Sequence, residues 1–388
     1  MKKICVFVGS RANYSSIKSV MNSIKNHKNL ELQVVIGSSS VLERYGKVED
    51  LIIKDGFKID YKFYNIVEGE NPLTMAKSTG LGIIEFSTIL DNLNSDFLIV
   101  VGDRFEMMSV TIAAAYMNIR IAHTMGGEVT GTIDESIRHA ITKFSHLHFT
   151  ASSDAYERVV KLGEDPKYVF NTGCPRMDLV KEELKNDSIP ILSDFFKNNK
   201  GVGSNVFDFS KPFLLVSQHP VTTEYKNNRN NFQKTLNAIN KLNIQTIMLW
   251  PNIDAGSDKI SKSIRSFREN NPDSNKWLSV FKNLPIKVYI HLMNTTACLI
   301  GNSSSGIREG ATIGTPVVNI GTRQNQREMG NNVINSGYND EEILNSIKRQ
   351  LVNGKYPPSD IYGSGNAGNT IANLLHKSNP PVQKIITY

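Results

Sequence analysis

The chain has little of several features that mark particular classes of protein. Its 388 residues include three cysteines, Cys5, Cys174 and Cys298, an odd number that is spread widely along the sequence. This usage fits a reducing cytoplasm better than a disulfide framework, and no residue spacing typical of a metal site is present. No apolar run approaches the roughly 20 residues that cross a bilayer. We therefore expect a cytoplasmic protein that needs neither a metal nor a membrane.

Charge of one sign is not concentrated in any one segment. The formal net charge is +7, which suggests an anionic partner without identifying it. The lysines are scattered along amphipathic segments, as on solvated helix faces, and basic residues are not interleaved with aromatic ones. Nucleic acid is therefore not an expected partner. A small phosphorylated ligand would use far fewer of these charges.

What the sequence does contain is an alternation of apolar runs with segments of helical periodicity. The predicted strands are Ile4–Gly9, Leu32–Ile36, Phe97–Gly102, Arg120–His123, His148–Ala151, Phe213–Ser217, Thr246–Trp250, Val288–Tyr289, Ala297–Ile300 and Val317–Ile320. Helices are predicted at Asn230–Leu242, Glu341–Val352 and Asn366–His376. Such alternation is the pattern of βαβ units around a parallel sheet.

The length of the chain and a shift in composition divide this α/β pattern into two domains. A polar stretch rich in Asn, Gly and Ser runs from Lys185 to Lys211, between the two series of strands. We predict two Rossmann-type, doubly wound parallel-sheet domains, residues 1–175 and 176–365, followed by a last helix and tail at 366–388. Two such domains facing each other form a cleft, and ligand-binding residues are expected on the turns that follow strands.

The turn Gly301–Glu309 is a candidate phosphate-binding loop. Its small residues let the backbone approach an anion, the hydroxyls of Ser303 and Ser304 can donate hydrogen bonds, and the following helix N-terminus favours negative charge. Glu309 is placed where a carboxylate could grip a ribose diol. The alternative interpretation is a tight connection between a strand and a helix.

A second turn of this kind, Gly9–Ser16, comes directly after the first predicted strand. Arg11 offers a planar fork suited to phosphate, and Ser15 is expected at the N-terminus of the next helix. The alternative interpretation is a helix cap beside an exposed arginine.

Titratable residues follow two further strands of the first half. Asp103, at a strand end, is a candidate acid or base. Its neighbour Arg104 would either keep Asp103 ionised or bind the ligand. The alternative interpretation of Asp103 is a helix cap. The loop His123–His139 holds more carboxylates, imidazoles and guanidinium groups than capping requires. Its candidate residues are Glu128, Asp134, Arg138 and His139. One of Asp134 and Glu135 could be only a favourable charge in the first helical turn.

Polar residues also follow the strands of the second half. His219 precedes a proline, which holds it out of a helix and suits an imidazole that points into a cleft. Asn252 lies in Pro251–Ser257, after the next strand, and is expected alongside. Arg323 follows another strand and is a second candidate partner for phosphate or carboxylate.

Taken together, these segments resemble the hydrolysing UDP-N-acetylglucosamine 2-epimerases of sialic-acid and nonulosonate biosynthesis over nearly the whole chain. The motifs that carry the resemblance, in the family's order, are SRANYS, VVGDRFE, GGEVTGTIDESIRHAITK, QHPVTTE, PNIDAGS, IGNSSSGIRE, GTPVVNIGTRQ and IYGSGNA. The resemblance implies a GT-B-like pair of Rossmann domains, with UDP held mainly by the C-terminal domain and the last helix crossing back onto the first. It also implies a homodimer or homotetramer formed through the first domain, and no cofactor.

Residue by residue, the resemblance assigns the candidates to a UDP-sugar site. Residues implied to bind UDP are Arg11, Ser15, Arg104, His219, Asn252, Ser303, Ser304, Glu309 and Arg323. Residues implied to carry the chemistry at the sugar, with His219, are Asp103, Glu128, Asp134, Arg138 and His139. The implied reaction removes the proton at C2 with loss of UDP from C1. Water then adds to the resulting 2-acetamidoglucal with inversion at C2, which releases N-acetylmannosamine.

Two positions depart from the family's pattern at the sugar end. Met125 stands where many members have a glutamate assigned to catalysis, and Ser40 belongs to a serine run where a ligand-contacting histidine is common. In one interpretation Glu128, Asp134 and Asp103 suffice and Met125 only alters the pocket. In the other, a thioether beside the ring favours a UDP-2,4-diacetamido-2,4,6-trideoxyhexose, as in legionaminic-acid pathways. A GT-B glycosyltransferase and a catalytically silent nucleotide-sugar sensor are the alternatives from other classes.

Overall fold

The computed structural model describes residues 1–69, 71–204, 207–252, 254 and 256–387. Contacts between Cα atoms divide the chain into two compact units. The first contains Met1–Glu128, Ile133–Leu179 and the residues from Ile361 onward, and the second contains Val129–Thr132 and Val180–Asp360. The chain thus passes between the units at 179/180 and 360/361, and also on either side of the short segment Val129–Thr132. The boundaries predicted from the sequence are 175/176 and 365/366.

The first unit is built on a parallel sheet. Its strands are β1 (Lys2–Val8), β2 (Leu30–Ile36), β3 (Tyr61–Lys62), β4 (Phe97–Val101), β5 (Arg120–Thr124), β6 (Leu147–Thr150) and β7 (Val169–Asn171). Its helices include α1 (Arg11–Lys25), α2 (Val48–Lys54), α3 (Pro72–Leu93), α4 (Phe105–Tyr116), α5 (Asp134–Phe144) and α6 (Ser153–Lys161). The strand order is β3-β2-β1-β4-β5-β6-β7, and every neighbouring pair is parallel. β4 is apolar and buried along its whole length, as parallel strands covered on both faces are.

The second unit repeats this plan. After α7 (Arg176–Glu183), its helices are α8 (Ser188–Asn198), α9 (Asn228–Asn240), α10 (Ser257–Asn270), α11 (Ile286–Thr295), α12 (Ser304–Ile313) and α13 (Asp340–Asn353). Its strands are β8 (Val202–Gly203), β9 (Leu214–Ser217), β10 (Thr246–Leu249), β11 (Leu278–Phe281), β12 (Cys298–Gly301), β13 (Val317–Ile320) and β14 (Val333–Ser336). The order is β14-β13-β12-β9-β10-β11-β8, and within the described ranges β8 alone runs antiparallel to its neighbour. The predicted doubly wound α/β class is confirmed for both units.

Short polar signals set where the helices begin. Ser10 caps α1 by accepting a hydrogen bond from the N–H of Asn13. α3 begins with a capping box between Asn71 and Thr74, and Pro72 occupies the first helical position, where its missing N–H costs nothing. None of the helices in the described part of the chain combines the length and apolar character that a membrane span requires.

The last helix, α14 (Ala367–Lys377), belongs to the first unit and packs on α1. Asp178 accepts hydrogen bonds from the N–H groups of Ala367 at 2.9 Å and Gly368 at 2.8 Å, which satisfies the helix N-terminus. At the other end, Lys2 Nζ donates to three backbone carbonyls, those of residues 375, 376 and 378, over 2.7–3.1 Å. Both ends of α14 are therefore tied to side chains of its own unit.

Most of the predicted elements coincide with observed ones, and one is wrong. The segment Val288–Tyr289 lies within α11, not in a strand. Pro285 precedes this helix, and apolar residues recur over eight positions from Ile286 to Met293, interrupted by Lys287 and His291, which is longer than the strands of this sheet. The strand directly before this helix, β11, was missed, as were β3, β7, β8 and β14.

Candidate functional site

Several candidate residues lie just after the strands at which the strand order of each sheet reverses. In the first unit β1 and β4 are neighbours, and the turns that follow them carry Arg11 and Asp103. In the second unit β9 and β12 are neighbours, and the turns that follow them carry His219 and Ser303. Ligands of doubly wound sheets bind at these reversal points, outside the carboxyl ends of the strands. We refer to the two places as the first-unit site and the second-unit site.

In the first-unit site, Asp103 forms an ion pair with Arg138 of α5. The Arg138 side chain has no solvent exposure, whereas 22% of the Asp103 side chain is exposed. Arg138 also donates to the backbone carbonyl of Glu128 at 2.7 Å. A guanidinium this close favours the ionised form of a carboxyl group and fixes its direction. Arg138 therefore links Asp103 to the backbone of Glu128.

Arg104, the neighbour of Asp103, pairs with a different carboxylate. Its Nε donates to Oε1 of Glu106 at 2.8 Å, and the Glu106 side chain is buried. Glu106 in turn lies against Gly9, where an added Cβ would come within 2.6 Å of the Glu106 Cγ. We predicted from the sequence that Arg104 keeps Asp103 ionised or binds the ligand; in the structure the buried Arg138 is the cation that pairs with Asp103.

The first turns of α5 carry the other candidates of this loop. His139 lies next to Arg138 in the sequence, and its Nε2 is 3.7 Å from Oε1 of Glu135. Burial, and then the charge of Arg138, lower the pKa of His139. Asp134 is the first residue of α5, and the N-cap residue Ile133 makes no side-chain cap bond. Asp134 and Glu135 both occupy positions where a negative charge stabilises the helix, so the two interpretations of Asp134 stay open.

His123 holds the Asp103 turn in place. Its side chain is fully buried, and Nε2 donates to the carbonyl of Gly102 at 2.7 Å. Thr142 Oγ1 lies 3.2 Å from the other ring nitrogen. Burial lowers the pKa of His123 to about 3, so the ring is neutral near neutral pH. This histidine therefore supports the site and does not exchange protons with a substrate.

The α1 turn differs from the sequence-based expectation. Ser10, not Ser15, is the N-cap of α1, because the helix begins at Arg11. The Ser15 hydroxyl lies in the second turn, 3.0 Å from the Arg11 carbonyl, and it accepts a hydrogen bond from Arg176 at 2.8 Å. Arg176 was not a candidate from the sequence, since it lies far along the chain. Arg11 itself donates to the Gly46 carbonyl at 3.2 Å.

The two departures from the family pattern, Met125 and Ser40, are buried inside the first unit. Met125 is 4% exposed, with its backbone in the left-handed region at φ 61° and its Sδ 3.4 Å from Cys174 Sγ. Ser40 is not exposed, and its hydroxyl bonds to the carbonyls of Val8 at 2.8 Å and Gly37 at 2.6 Å. Their burial is like that of Glu128, which is 4% exposed, so both interpretations of Met125 stay open.

In the second-unit site, Asn302 joins the turn after β9 to the turn after β12. Its Oδ1 accepts from the N–H of His219 at 2.7 Å, and its Nδ2 donates to the His219 carbonyl at 2.9 Å. Its own carbonyl accepts from Gln324 Nε2 at 2.9 Å. Sequence reasoning missed Asn302 although it lies inside the predicted phosphate loop, because its type alone does not show that it links two loops.

The turn after β10 meets His219 as well. The N–H of Asn252 donates to His219 Nδ1 at 3.2 Å, so the neutral ring carries its proton on Nε2. Asn252 Nδ2 also donates to Asp254 Oδ2 at 2.5 Å. Two other residues of this predicted motif, Ile253 and Ala255, lie outside the described residues.

Arg323 reaches the same place from the turn after β13. Its NH1 donates to the Asn302 carbonyl at 3.3 Å, and its NH2 lies 3.8 Å from Asp254 Oδ2. The structure therefore brings together three candidates that are far apart in the sequence, namely His219, Asn252 and Arg323.

The serine loop begins α12. Ser303 is the N-cap, its hydroxyl lies 2.8 Å from the hydroxyl of Ser305, and Tyr289 Oη lies 2.7 Å from Ser305 Oγ on the other side. Ser304 is the first residue of α12, and Glu309 is buried in the same helix. A helix N-terminus lined by hydroxyls suits a phosphate group.

Other histidines serve the fold. His146 accepts from the N–H of Ile121 at 3.0 Å and donates to the carbonyl of Val382 at 2.9 Å. His148 lies 3.1 Å from the Glu164 carboxylate, and burial lowers its pKa. Across the described ranges, no cluster of three His, Cys, Asp or Glu side chains is arranged to hold a metal ion.

This geometry can be compared with known proteins. The chain is 31% identical over 375 residues to the UDP-N,N'-diacetylbacillosamine 2-epimerase (hydrolyzing) of Legionella pneumophila, covering 97% of this chain and 96% of that protein. It is 28% identical over 381 residues to the UDP-N-acetylglucosamine 2-epimerase of Neisseria meningitidis serogroup B, covering 98% and 96%.

A solved structure shows the same fold. The UDP-GlcNAc 2-epimerase from Neisseria meningitidis bound to UDP-GlcNAc superposes with a TM-score of 0.81 at 18% identity, over 97% of this chain and 100% of that one. The two-domain, GT-B-like Rossmann architecture that the sequence predicted is thereby confirmed. A sequence model of the family described as UDP-N-acetylglucosamine 2-epimerase matches residues 22–376, and this chain belongs to that family.

Proposed function

We propose that this protein is a hydrolysing 2-epimerase that converts UDP-N-acetylglucosamine and water to N-acetylmannosamine and UDP. The observation that carries the proposal is the Asp103–Arg138 pair on the turn after β4, in a member of an epimerase family. A carboxylate held by a buried guanidinium at a sheet's ligand-binding edge is suited to acid–base chemistry. The name of the Neisseria meningitidis relative supports the same substrate.

The proposed reaction has two steps. A base removes the proton at C2 while the C1–O bond breaks, and its electron pair leaves with UDP, so that a 2-acetamidoglucal forms. Water then adds its hydroxyl to C1, and an acid delivers a proton to C2 on the opposite face. We assign the base and acid to carboxyl groups of Asp103, Glu128 and Asp134, with Arg138 and His139 beside them. Carboxylates suffice as bases when departure of the leaving group runs ahead of deprotonation.

The second-unit site is proposed to stabilise the departing nucleotide. Negative charge grows on the diphosphate as the C1–O bond breaks, and cations and N–H groups fixed in advance stabilise that charge. The groups assigned to UDP in this unit are His219, Asn252, Ser303, Ser304, Glu309 and Arg323. In the first unit Arg11, Ser15 and Arg104 keep the same assignment, although Ser15 is already bonded to Arg176.

A second candidate substrate is a UDP-2,4-diacetamido-2,4,6-trideoxyhexose. It is favoured by the name of the Legionella pneumophila relative, which acts on UDP-N,N'-diacetylbacillosamine and is 31% identical to this chain. The chemistry at C1 and C2 would be the same, because the second acetamido group is at C4. Met125 and Ser40, the two departures from the family pattern, are its support from the sequence.

The deciding experiment follows each UDP sugar by NMR in deuterated water. The proposal expects free N-acetylmannosamine with deuterium at C2, together with UDP. A UDP-linked 2-epimer would show a non-hydrolysing enzyme. Sugar transferred to an acceptor without exchange at C2 would show a glycosyltransferase, and binding of UDP without product from either sugar would show a sensor. Faster turnover of the diacetamido sugar would establish the second candidate.

Assembly is part of the proposal. α3 exposes an apolar stripe formed by Leu73, Leu81 and Ile84, which are 63%, 41% and 66% exposed, and Tyr116 at the end of α4 is 85% exposed. Apolar side chains grouped on one helix face mark an interaction surface more often than single ones do. We propose that a second copy of this chain covers this stripe, in a cytoplasmic homodimer or homotetramer. The three buried free cysteines suit a reducing compartment.

A further inference from the structure

We infer that Glu224 and Thr322 are positioning residues that hold Arg323 in the second-unit site. The inference rests on the proposed function, which assigns Arg323 to the diphosphate of a UDP sugar. Neither Glu224 nor Thr322 is proposed to touch the substrate. Their effect passes through the backbone of the turn after β13, which carries Arg323 as its next residue.

The Glu224 carboxylate is fixed from two sides. Glu224 ends the short 3-10 helix Thr222–Glu224, in the same turn after β9 that carries His219. Its N–H donates to the Val221 carbonyl at 3.0 Å, and its carbonyl accepts from the N–H of Asn227 at 2.8 Å. Asn231 Nδ2 donates to Glu224 Oε2 at 3.2 Å. One carboxylate oxygen is thus anchored to α9, and the other faces the turn after β13.

Thr322 bonds to that second oxygen. Its hydroxyl donates to Glu224 Oε1 at 2.5 Å. The residue before it, Gly321, has φ 76°, and an added Cβ would collide with the ring of Tyr338. Burial, and then the Glu224 carboxylate, raise the pKa of Tyr338, so its phenol stays protonated beside the turn. The turn is therefore held by a ring at Gly321 and by a hydrogen bond at Thr322.

Arg323 benefits from this anchoring because its side chain is long. Its side chain is 16% exposed, and its guanidinium reaches the Asn302 carbonyl at 3.3 Å and Asp254 at 3.8 Å. Fixing the backbone one residue earlier lowers the conformational entropy that the arginine loses when it binds an anion. Glu224 supplies this anchor while its two oxygens accept from Thr322 and Asn231. The turns that carry His219 and Arg323 are linked in this way through one carboxylate.

A purely structural role for the Glu224–Thr322 bond would predict a different result. Loss of the bond would then lower the stability of the second unit and weaken every ligand contact, whether or not Arg323 is present. A positioning role predicts that the loss depends on Arg323. A double-mutant cycle separates the two, because it measures the coupling between Thr322 and Arg323 directly.

The experiment measures UDP affinity by isothermal titration calorimetry for the full chain and its variants. Thr322→Val removes the hydroxyl at nearly constant size, and Thr322→Ser keeps it. We expect Thr322→Val to weaken UDP binding about tenfold and Thr322→Ser by less than about twofold. In an Arg323→Ala background, Thr322→Val should add less than about twofold, because the group that it positions is gone. Thr223→Val, an exposed neighbour of Glu224, is the matched control and should bind UDP as the parent does.

Glu224 is tested in the same way, with thermal unfolding midpoints recorded for every variant. Glu224→Gln keeps an acceptor oxygen for Thr322 and should retain most of the affinity, whereas Glu224→Ala should resemble Thr322→Val. Equal weakening by Thr322→Val with and without Arg323, or no weakening at all, would overturn the inference. A parent protein that does not bind UDP would instead contradict the proposed function, so the two failures are distinguishable.

Discussion

At the scale of single residues, burial separates the side chains that can meet a substrate from those that hold them. Arg138 and His123 are fully buried, and each bonds to the Asp103 turn or to Asp103 itself. Asp103 keeps 22% of its side chain exposed. The Asp103 carboxylate is therefore accessible for chemistry, and the buried side chains of Arg138 and His123 fix its position.

Asp103→Asn tests this division. The amide keeps the size of the side chain but cannot accept the C2 proton, so we expect kcat to fall at least about 100-fold, as for loss of a general base. UDP affinity should change by less than about threefold, because the nucleotide is assigned mainly to other residues. Steady-state kinetics and calorimetry check the two parts. The control Asp194→Asn, at an exposed position of α8, should leave kcat and UDP affinity unchanged. Equal kcat values for the two variants would show that Asp103 takes no part in the mechanism.

His123 predicts a pH dependence of stability. Its pKa is lowered from 6.5 to about 3 in the folded state, so the unfolded chain binds the proton more tightly. The stability that the neutral ring contributes is complete above the unfolded pKa and is lost as the pH falls towards the folded pKa. At pH 5 the loss from this one residue is about 2 kcal/mol.

His123→Gln removes the titration while keeping a donor near the Gly102 carbonyl. Chemical unfolding at pH 7 and pH 5 should therefore show a smaller loss of unfolding free energy in the variant than in the parent, by about 2 kcal/mol. His146, His148 and His291 also have pKa values lowered by burial, but they contribute to both proteins and cancel in the comparison. Parallel pH profiles would contradict the prediction.

Residue types at strand ends could be read from the sequence, whereas the direction of their side chains could not. Asp103 and Arg138 were both candidates, but their pairing depends on how α5 packs against α4 and β5. Met125 and Ser40 show the same limit of prediction from sequence. Their departure from the family pattern is visible in the sequence, but burial against Cys174 and against Val8 is a property of the packed unit.

At the scale of elements, the reversal of strand order decides which turns become neighbours. The sequence identifies turns after β9 and β12, but only the sheet order places those two strands side by side. Asn302 then links them through the backbone of His219. A strand such as β11 was missed and Val288–Tyr289 was misassigned, because short apolar runs have no periodicity that separates strand from helix.

Gly301 makes the approach of these turns possible. It has φ 133°, and an added Cβ would collide with the carbonyl of Ser217 in β9. We expect Gly301→Ala to displace the serine loop, weaken UDP binding at least about tenfold and lower stability by about 1–3 kcal/mol. Calorimetry with UDP and chemical unfolding measure both.

Gly354→Ala is the matched control for backbone strain. Gly354 also has positive φ, at 72°, but nothing lies within 4 Å of its added Cβ. It should cost about 1 kcal/mol of stability and leave UDP affinity unchanged. Equal effects of the two substitutions on UDP affinity would show that the collision at Gly301 plays no part.

At the scale of the whole molecule, the last helix of the chain, α14, packs in the first unit. Lys2 and Asp178 tie the two ends of α14, and both come from distant parts of the sequence. The apolar periodicity of the tail predicted a helix, but its partners could not be derived from the residues, because they depend on contacts between segments more than 180 residues apart. Only the family resemblance implied that the helix returns to the first domain.

The apolar stripe on α3 predicts that the protein assembles through this helix. Ile84 is 66% exposed on that helix, and a charge placed there would be buried without a partner in any interface that covers it. We expect the parent protein to sediment as a dimer or a larger homo-oligomer, and Ile84→Glu to shift it towards monomer at micromolar concentration. Val352→Glu, at an 89% exposed position of α13, is the matched control and should sediment as the parent does. Sedimentation velocity measures the assembly state, and the thermal unfolding midpoint of each variant distinguishes dissociation from misfolding. A monomeric parent, or an Ile84→Glu variant with the same assembly state as the parent, would show that the stripe is not the interface.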